Sequence, residues 1–169
     1  MILPYRSPDN ELSLNVAIVI LVIAILGKTP RGKLLLNNER LQVCLYLIKN
    51  PLVLNKILEA LDKPRAKLLP HDEYSIASIS MNVDSLHDGR KLKVLLQHAA
   101  AMGFINVCYR KVEGFVYDLS QNGQAMVEKL KGEYLDSLGS YAEALIQLNS
   151  LSTAKLSELV EKDRWGARP

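Results

Sequence analysis

An uninterrupted run of eleven apolar residues, from Val16 to Leu26, constrains this chain more than any other feature of its sequence. A membrane-spanning helix needs about 20 apolar residues, and extension of the run back to Leu12 takes in two polar residues. A signal peptide has a basic segment before its apolar run, whereas acidic residues, Glu11 among them, precede this one. We therefore predict a buried helix and no membrane segment.

Local signals also place the ends of this helix. Residues 7–11 supply N-cap side chains and acidic groups suited to a first helical turn, and Gly27 is a natural end. Because the run is apolar on every face, the helix has to be covered all round. It is either the central core helix of this chain or a helix that another chain partly covers. In the second case the candidate partner-interface residues are Val16, Val19, Ile20 and Ile23.

The rest of the chain reads as a mainly helical domain. Its 169 residues are 49% apolar, chiefly aliphatic, and 23% charged, which suffices for a core without disulfides or metals. Apolar stripes at helical spacing predict helices at 39–49, 51–62 and 89–102, capped by Asn37 or Asn38, by Asn50 with Pro51, and by residues 85–88.

A β hairpin and a long C-terminal helix are predicted next. Two β segments, 104–111 and 115–119, flank a turn that contains Gly114, and Ser120 caps a helix from about residue 121. That helix carries a heptad-like apolar seam over about three heptads, within which Gly132 and Gly139 either allow close packing or mark a break. A further short helix follows from Leu151. The seam consists of Val127, Leu130, Tyr134, Leu138, Tyr141, Leu145 and Leu148, and four of these are further partner-interface candidates: Tyr134, Leu138, Tyr141 and Leu145.

The sequence contains no recognisable catalytic, metal or cofactor motif. There is no glycine-rich phosphate loop, no paired cysteine or histidine pattern for zinc, and no nucleophile elbow. Cys44 and Cys108 lie in apolar runs, which is not a disulfide framework and favours a reducing, cytoplasmic compartment. We predict that the protein is not an enzyme and carries no cofactor or metal.

The order of elements from residue 85 to 130 resembles the winged-helix fold. A helix ends in Met-Gly-Phe-Ile, a hairpin follows, and Tyr117-Asp-Leu-Ser leads into another helix. In winged-helix proteins the helix before the hairpin often enters the major groove of DNA, and the hairpin is the wing. Residues 28–111 carry 14 basic and 7 acidic side chains, which favours a polyanionic or acidic partner. The DNA-contact candidates are Arg90, Lys91, Lys93 and Gln97 on the helix and Arg110 and Lys111 on the hairpin; a solvated face or a protein-interaction module is the alternative.

A wider resemblance covers most of the chain. The opening from Leu3 to Asn15, the apolar helix, the segment from Lys33 to Leu41 and the winged-helix half look like the middle component of bacterial three-component ABC-ATPase systems. The same type of small subunit occurs in Lamassu-type anti-phage defence operons. The resemblance implies a non-catalytic subunit that partners an SMC- or Rad50-like ATPase and an effector nuclease, with double-stranded DNA as a further candidate partner.

Three segments follow from this interpretation. Residues 1–33 form an apolar docking helix and linker, residues 34–125 a winged-helix-like domain, and residues 126–169 a C-terminal helical extension. The alternative function is a winged-helix transcriptional regulator that dimerises through its long C-terminal helix.

Overall fold

A computed structural model of the chain describes residues 11–73 and 88–166, with side chains up to residue 163. The described part is mainly helical with one two-stranded antiparallel sheet, so the predicted fold class is confirmed. The helices are α1 (Leu12–Leu26), α2 (Asn38–Lys49), α3 (Pro51–Ala60), α4 (Pro70–Glu73), α5 (Gly89–Ala101), α6 (Gln121–Lys129), α7 (Glu133–Leu145) and α8 (Thr153–Gly166), with a 3-10 turn at Ile146–Leu148; the strands are β1 (Ile105–Arg110) and β2 (Gly114–Leu119).

The apolar helix α1 lies at the centre of the fold. Its main neighbour is α7, and α5, α6, β2 and α2 also pack against it. This chain itself therefore covers the all-round apolar surface, as the first of the two predicted arrangements requires. The helix begins with Glu11 as N-cap, which makes no side-chain cap bond, while the caps predicted at residues 7–10 lie outside the described residues. None of the described helices is long and apolar enough to cross a membrane.

Helix α2 begins where its capping residue predicts. The Asn37 side-chain oxygen accepts a hydrogen bond from the backbone N–H of Arg40 at 2.9 Å, which satisfies one free donor of the first turn. Pro51 then opens α3, where its missing N–H costs no hydrogen bond. The predicted helices at 39–49 and 51–62 are thus present, the second ending at Ala60.

Helix α5 leads directly into the hairpin. Asp88 caps α5 by accepting from the backbone N–H of Lys91 at 3.1 Å. The strand register runs from Ile105 opposite Leu119 to Arg110 opposite Gly114. The outer edge of β2 is also engaged, because the Tyr117 N–H donates to the carbonyl of Leu36 at 3.1 Å and Asn37 forms an isolated bridge with Val116. The segment before α2 therefore acts as a partial third strand that fixes the base of the hairpin.

Helix α6 packs tightly on the start of the hairpin. Ser120 caps it as predicted, accepting from the Gly123 N–H at 3.0 Å. A Cβ atom at Gly123 would lie 2.1 Å from the carbonyl oxygen of Phe104 and 2.8 Å from Leu119. Only glycine allows this approach of α6 to the hairpin.

The predicted long C-terminal helix is wrong, because it is broken into α6 and α7. Leu130 already has an extended backbone, and Gly132 has φ +131°, a conformation that side-chain-bearing residues rarely adopt. The apolar spacing continues across the break although the helix does not. Gly139, in contrast, lies within α7 and faces Ile25 of α1. Each of the two predicted alternatives thus applies to one glycine: Gly132 marks a break, and Gly139 allows close packing.

The buried side chains form one continuous hydrophobic cluster. It extends from Val16 in α1 to Val160 in α8 and includes residues of every helix except α4 and α6. All three predicted segments contribute to it. The N-terminal helix and the C-terminal helices are therefore parts of the same core as the hairpin region.

Candidate nucleic-acid interface

Helix α5 divides into a buried and a basic exposed face. Its buried side is made of leucines and Ala99. The predicted contact residues Arg90, Lys91, Lys93 and Gln97 are all exposed. No acidic residue lies within α5, although a positive first turn opposes the helix dipole. The helix thus presents an exposed basic face to the solvent.

The predicted hairpin residues occupy the apex of the sheet. Lys111 is exposed in the turn, and Arg110 is partly buried at the end of β1. Of the acidic groups nearby, Asp118 forms an ion pair with Lys28 at 2.9 Å, and Glu113 lies in the turn itself. The apex therefore has a small positive balance.

The two basic groups come from two consecutive elements of the chain. Arg90, Lys91 and Lys93 lie close together in sequence in the first two turns of α5. Arg110 and Lys111 lie at the far end of β1, the strand that follows α5. The five cations thus form one group on α5 and a second group at the hairpin apex.

A small cavity lies between α1, α2 and the first turn of α5. It has a volume of about 80 Å³, and Asp88 and Lys91 contribute to its lining. The side-chain nitrogen of Gln42 is buried there and has no hydrogen-bond partner among the described residues. Lys49 donates to the Asn15 side-chain oxygen at 3.2 Å on the same side. Sequence reasoning missed this cavity because its residues come from three separate helices.

A buried arginine is the main residue that sequence reasoning did not single out. Arg40 is only 6% exposed, and its guanidinium donates to the carbonyls of Leu151 at 2.7 Å, Leu148 at 3.3 Å and Asn149 at 3.5 Å. These carbonyls follow α7, where the negative end of a helix dipole favours a cation. In the sequence Arg40 stands between Glu39 and Leu41 in the polar first turn of α2, and nothing local indicated its partners.

The described residues offer little for catalysis. Burial raises the pKa of the Cys44 thiol to about 12, although Arg40 nearby opposes this, so the thiol stays protonated and unreactive at neutral pH. No group of three or more histidine, cysteine or acidic side chains that could hold a metal occurs in the described ranges. His98 is exposed on α5, and His71 lies 3.7 Å from its neighbour Asp72.

Most of the predicted partner-interface residues lie in the core of this chain and not on its surface. Only Tyr134 is exposed, at 44%. The other side chains are at most 4% exposed and pack in the core, because α1 and α7 bury them against each other and against their neighbours. Within this chain seven of the eight are buried, and their role at a subunit interface stays a prediction: Val16, Val19, Ile20, Ile23, Leu138, Tyr141 and Leu145.

Fold and site together define a small helical protein with a β hairpin, a basic exposed helix face and no recognisable catalytic centre in its described part. The model of one protein family, described as ABC-three component (ABC-3C) system Middle Component 4, matches residues 26–158. The chain therefore belongs to this family of middle components. No curated protein and no solved structure matches the chain.

Proposed function

We propose that this protein is the non-catalytic accessory subunit of a defence complex built on an SMC- or Rad50-like ATPase. It connects the ATPase with DNA and with an effector nuclease, and helps to control activation of the nuclease in the cytoplasm. The observation that carries the proposal is the family match over residues 26–158, since a middle component is by description one member of a three-component ABC system. Lamassu-type systems are the particular class that the sequence resembles.

The arrangement around the hairpin supports a contact with DNA. Helices α1, α2 and α5 pack on one another, the hairpin follows α5, and residues 36–37 extend the sheet beside β2. This order of helix, short strand, two helices and hairpin resembles that of a winged helix, with α3 and its connections inserted before the last helix. A winged helix contacts the major groove with the helix before its hairpin, so the exposed basic face of α5 supports the proposed contact.

The alternative of a homodimeric regulator loses its main support. Its predicted dimerisation element was the long C-terminal helix, which is broken at Gly132. The seam residues beyond the break, from Leu138 to Leu148, are used in the core of the single chain. No described apolar seam is left on α7 for a second copy.

Co-expression tests the accessory role. The tagged chain is produced with the ATPase and effector encoded beside it, and the purified material is analysed by size-exclusion chromatography and mass spectrometry. We expect a stable hetero-complex. A chain that elutes alone or as a homodimer in the presence of both proteins would contradict the proposal.

Salt-dependent DNA binding tests the basic face of α5. We expect Arg90→Ala with Lys93→Ala to weaken binding to a short duplex, and to reduce the slope of log affinity against log salt by about 2, since each lost phosphate contact removes about 0.9. The matched control is Lys155→Ala with Lys162→Ala, which removes two exposed lysines of α8. Equal slopes for the two double variants, measured by fluorescence anisotropy, would exclude α5 from the contact.

A further inference from the structure

One face of the hairpin is apolar, and it packs fully against the core only at the end where Ile105 pairs with Leu119. Three cross-strand pairs share this face: Ile105 with Leu119, Val107 with Tyr117, and Tyr109 with Phe115. The first pair is buried in the core, whereas Tyr109 is 70% exposed and Phe115 is 53% exposed. The face thus runs from the core of the protein into solvent at the hairpin apex.

The two apical rings are held in a defined arrangement. The centroids of Tyr109 and Phe115 are 5.4 Å apart, and their planes meet at 66°, an edge-to-face contact. Beside them, Val112 in the turn is 91% exposed. The base of the hairpin is fixed by its pairing with Leu36, so the rings project from a rigid support. The two exposed rings therefore form a surface on which another planar group can stack.

The charges around these rings favour a nucleic acid over a protein as their partner. Arg110 and Lys111 directly follow Tyr109 in the chain. The acidic Asp118 is neutralised by Lys28, which leaves Glu113 as the opposing charge near the apex. Aromatic rings interleaved with cations are the combination that binds single-stranded nucleic acid, because the cations meet phosphates while the rings stack on bases.

We infer that the hairpin apex binds unpaired bases, so that this subunit favours DNA with a single-stranded end over intact duplex. Within a duplex the faces of the bases are covered by their neighbours, and only their edges are accessible in the grooves. Unpaired bases expose a face on which Tyr109 or Phe115 stacks. This inference rests on the DNA contact in the proposed function and specifies its substrate.

Two fluorescent probes test the inference on the full-length chain: a short blunt duplex, and the same duplex with a single-stranded thymidine overhang. We expect the overhang probe to bind about tenfold more tightly, the size of one base-stacking contact. Tyr109→Leu with Phe115→Leu should abolish this preference and leave blunt-duplex binding unchanged. Tyr109→Phe, which keeps the ring, should retain the preference, as should Val112→Ala, which removes exposed apolar surface of the same hairpin without touching a ring.

Three outcomes would overturn the inference. One is equal affinity of the unmodified chain for both probes; another is an unchanged preference in the double leucine variant, with its fold checked by circular dichroism. The third is a double variant that binds DNA normally but no longer joins the co-expressed ATPase, which would assign the apex to a protein partner. The co-expression experiment tests the proposed function separately: if that function is wrong, the unmodified chain forms no complex with the ATPase.

Discussion

A single buried guanidinium joins the first turn of α2 to the chain beyond α7. Arg40 is surrounded by carbonyl oxygens and has no carboxylate partner among the described side chains, so the partial negative charge of a helix end replaces a counter-ion. Hydrogen bonds to a charged group contribute more to stability than neutral ones. The arginine thus ties together segments that are more than a hundred residues apart in sequence.

Replacement of this arginine should destabilise the protein markedly. We expect Arg40→Met to lower the free energy of unfolding by about 2–4 kcal/mol, because buried carbonyls lose their donor while the apolar volume is roughly kept. Arg40→Lys should recover only part of the loss, since one ammonium group cannot reach three carbonyls. Urea unfolding measures both variants, with the exposed Arg31→Met as control. A loss for Arg40→Met no larger than the control's would show that the carbonyl contacts contribute little.

Tyr141 contributes a part of the protein's stability that is lost at alkaline pH. Burial raises the pKa of its hydroxyl to about 12 from 10.0, and the short hydrogen bond to Asp72 adds to the shift. Because the folded pKa is the higher one, the stabilisation is fully present below pH 10 and is lost as the pH rises towards about 12. Tyr141→Phe should be less stable than the unmodified protein at neutral pH, and the difference should shrink across this window. Thermal melts at a series of pH values measure it; a constant difference would contradict this account.

At the scale of elements, the helix starts could be predicted from the sequence, whereas it left open whether the glycines of the apolar seam mark a break or allow close packing. Asn37, Asp88 and Ser120 each accept a hydrogen bond from an N–H in the first turn, a purely local interaction that side-chain type and spacing reveal. The break before α7 instead depends on how α7 packs against α1. The apolar period carries on through Leu130 and Gly132, so periodicity alone predicted one helix.

The two glycines of this region should respond to alanine in opposite ways. We expect Gly132→Ala to lower the free energy of unfolding by about 1–3 kcal/mol, because φ +131° strains a residue with a Cβ atom. Gly139→Ala should raise it by about 0.5–1 kcal/mol, since its Cβ would make an ordinary contact 4.0 Å from Ile25 within a regular helix. Chemical unfolding of both variants checks the pair. Equal effects would show that the backbone at Gly132 adapts to alanine.

At the scale of the whole molecule, the sequence showed that α1 must be covered but not by what. Its composition dictates complete burial, whereas the identity of the covering elements depends on contacts between distant parts of the chain. The structure divides that cover among several elements, of which α7 and α5 are the main ones. For the candidate DNA surface, the basic residues named from the sequence are exposed except Arg110, which is partly buried. The aromatic pair at the hairpin apex became visible only with the strand register.

Charge substitutions in α1 distinguish core from interface. Ile23 is 2% exposed and its neighbour Ala24 is exposed. We expect Ile23→Asp to unfold the whole chain, because an unpaired buried carboxylate costs several kcal/mol in a domain stabilised by about 5–15 kcal/mol. Ala24→Asp should keep the native fold and melting temperature. Circular dichroism during heating compares them, and a folded Ile23→Asp variant that only fails to join the complex would assign α1 to a subunit interface.

The central position of α1 has a consequence for how the protein is made. The ribosome completes α1 before any of the helices that cover it, and its main neighbour α7 follows only after α2, α3, α5 and the hairpin. During translation the nascent chain therefore carries an uncovered apolar helix, a target for chaperones and for aggregation. Any truncation before Leu145 makes that exposure permanent. Synthesis of the complete α7 is thus the step that supplies the main neighbour of α1.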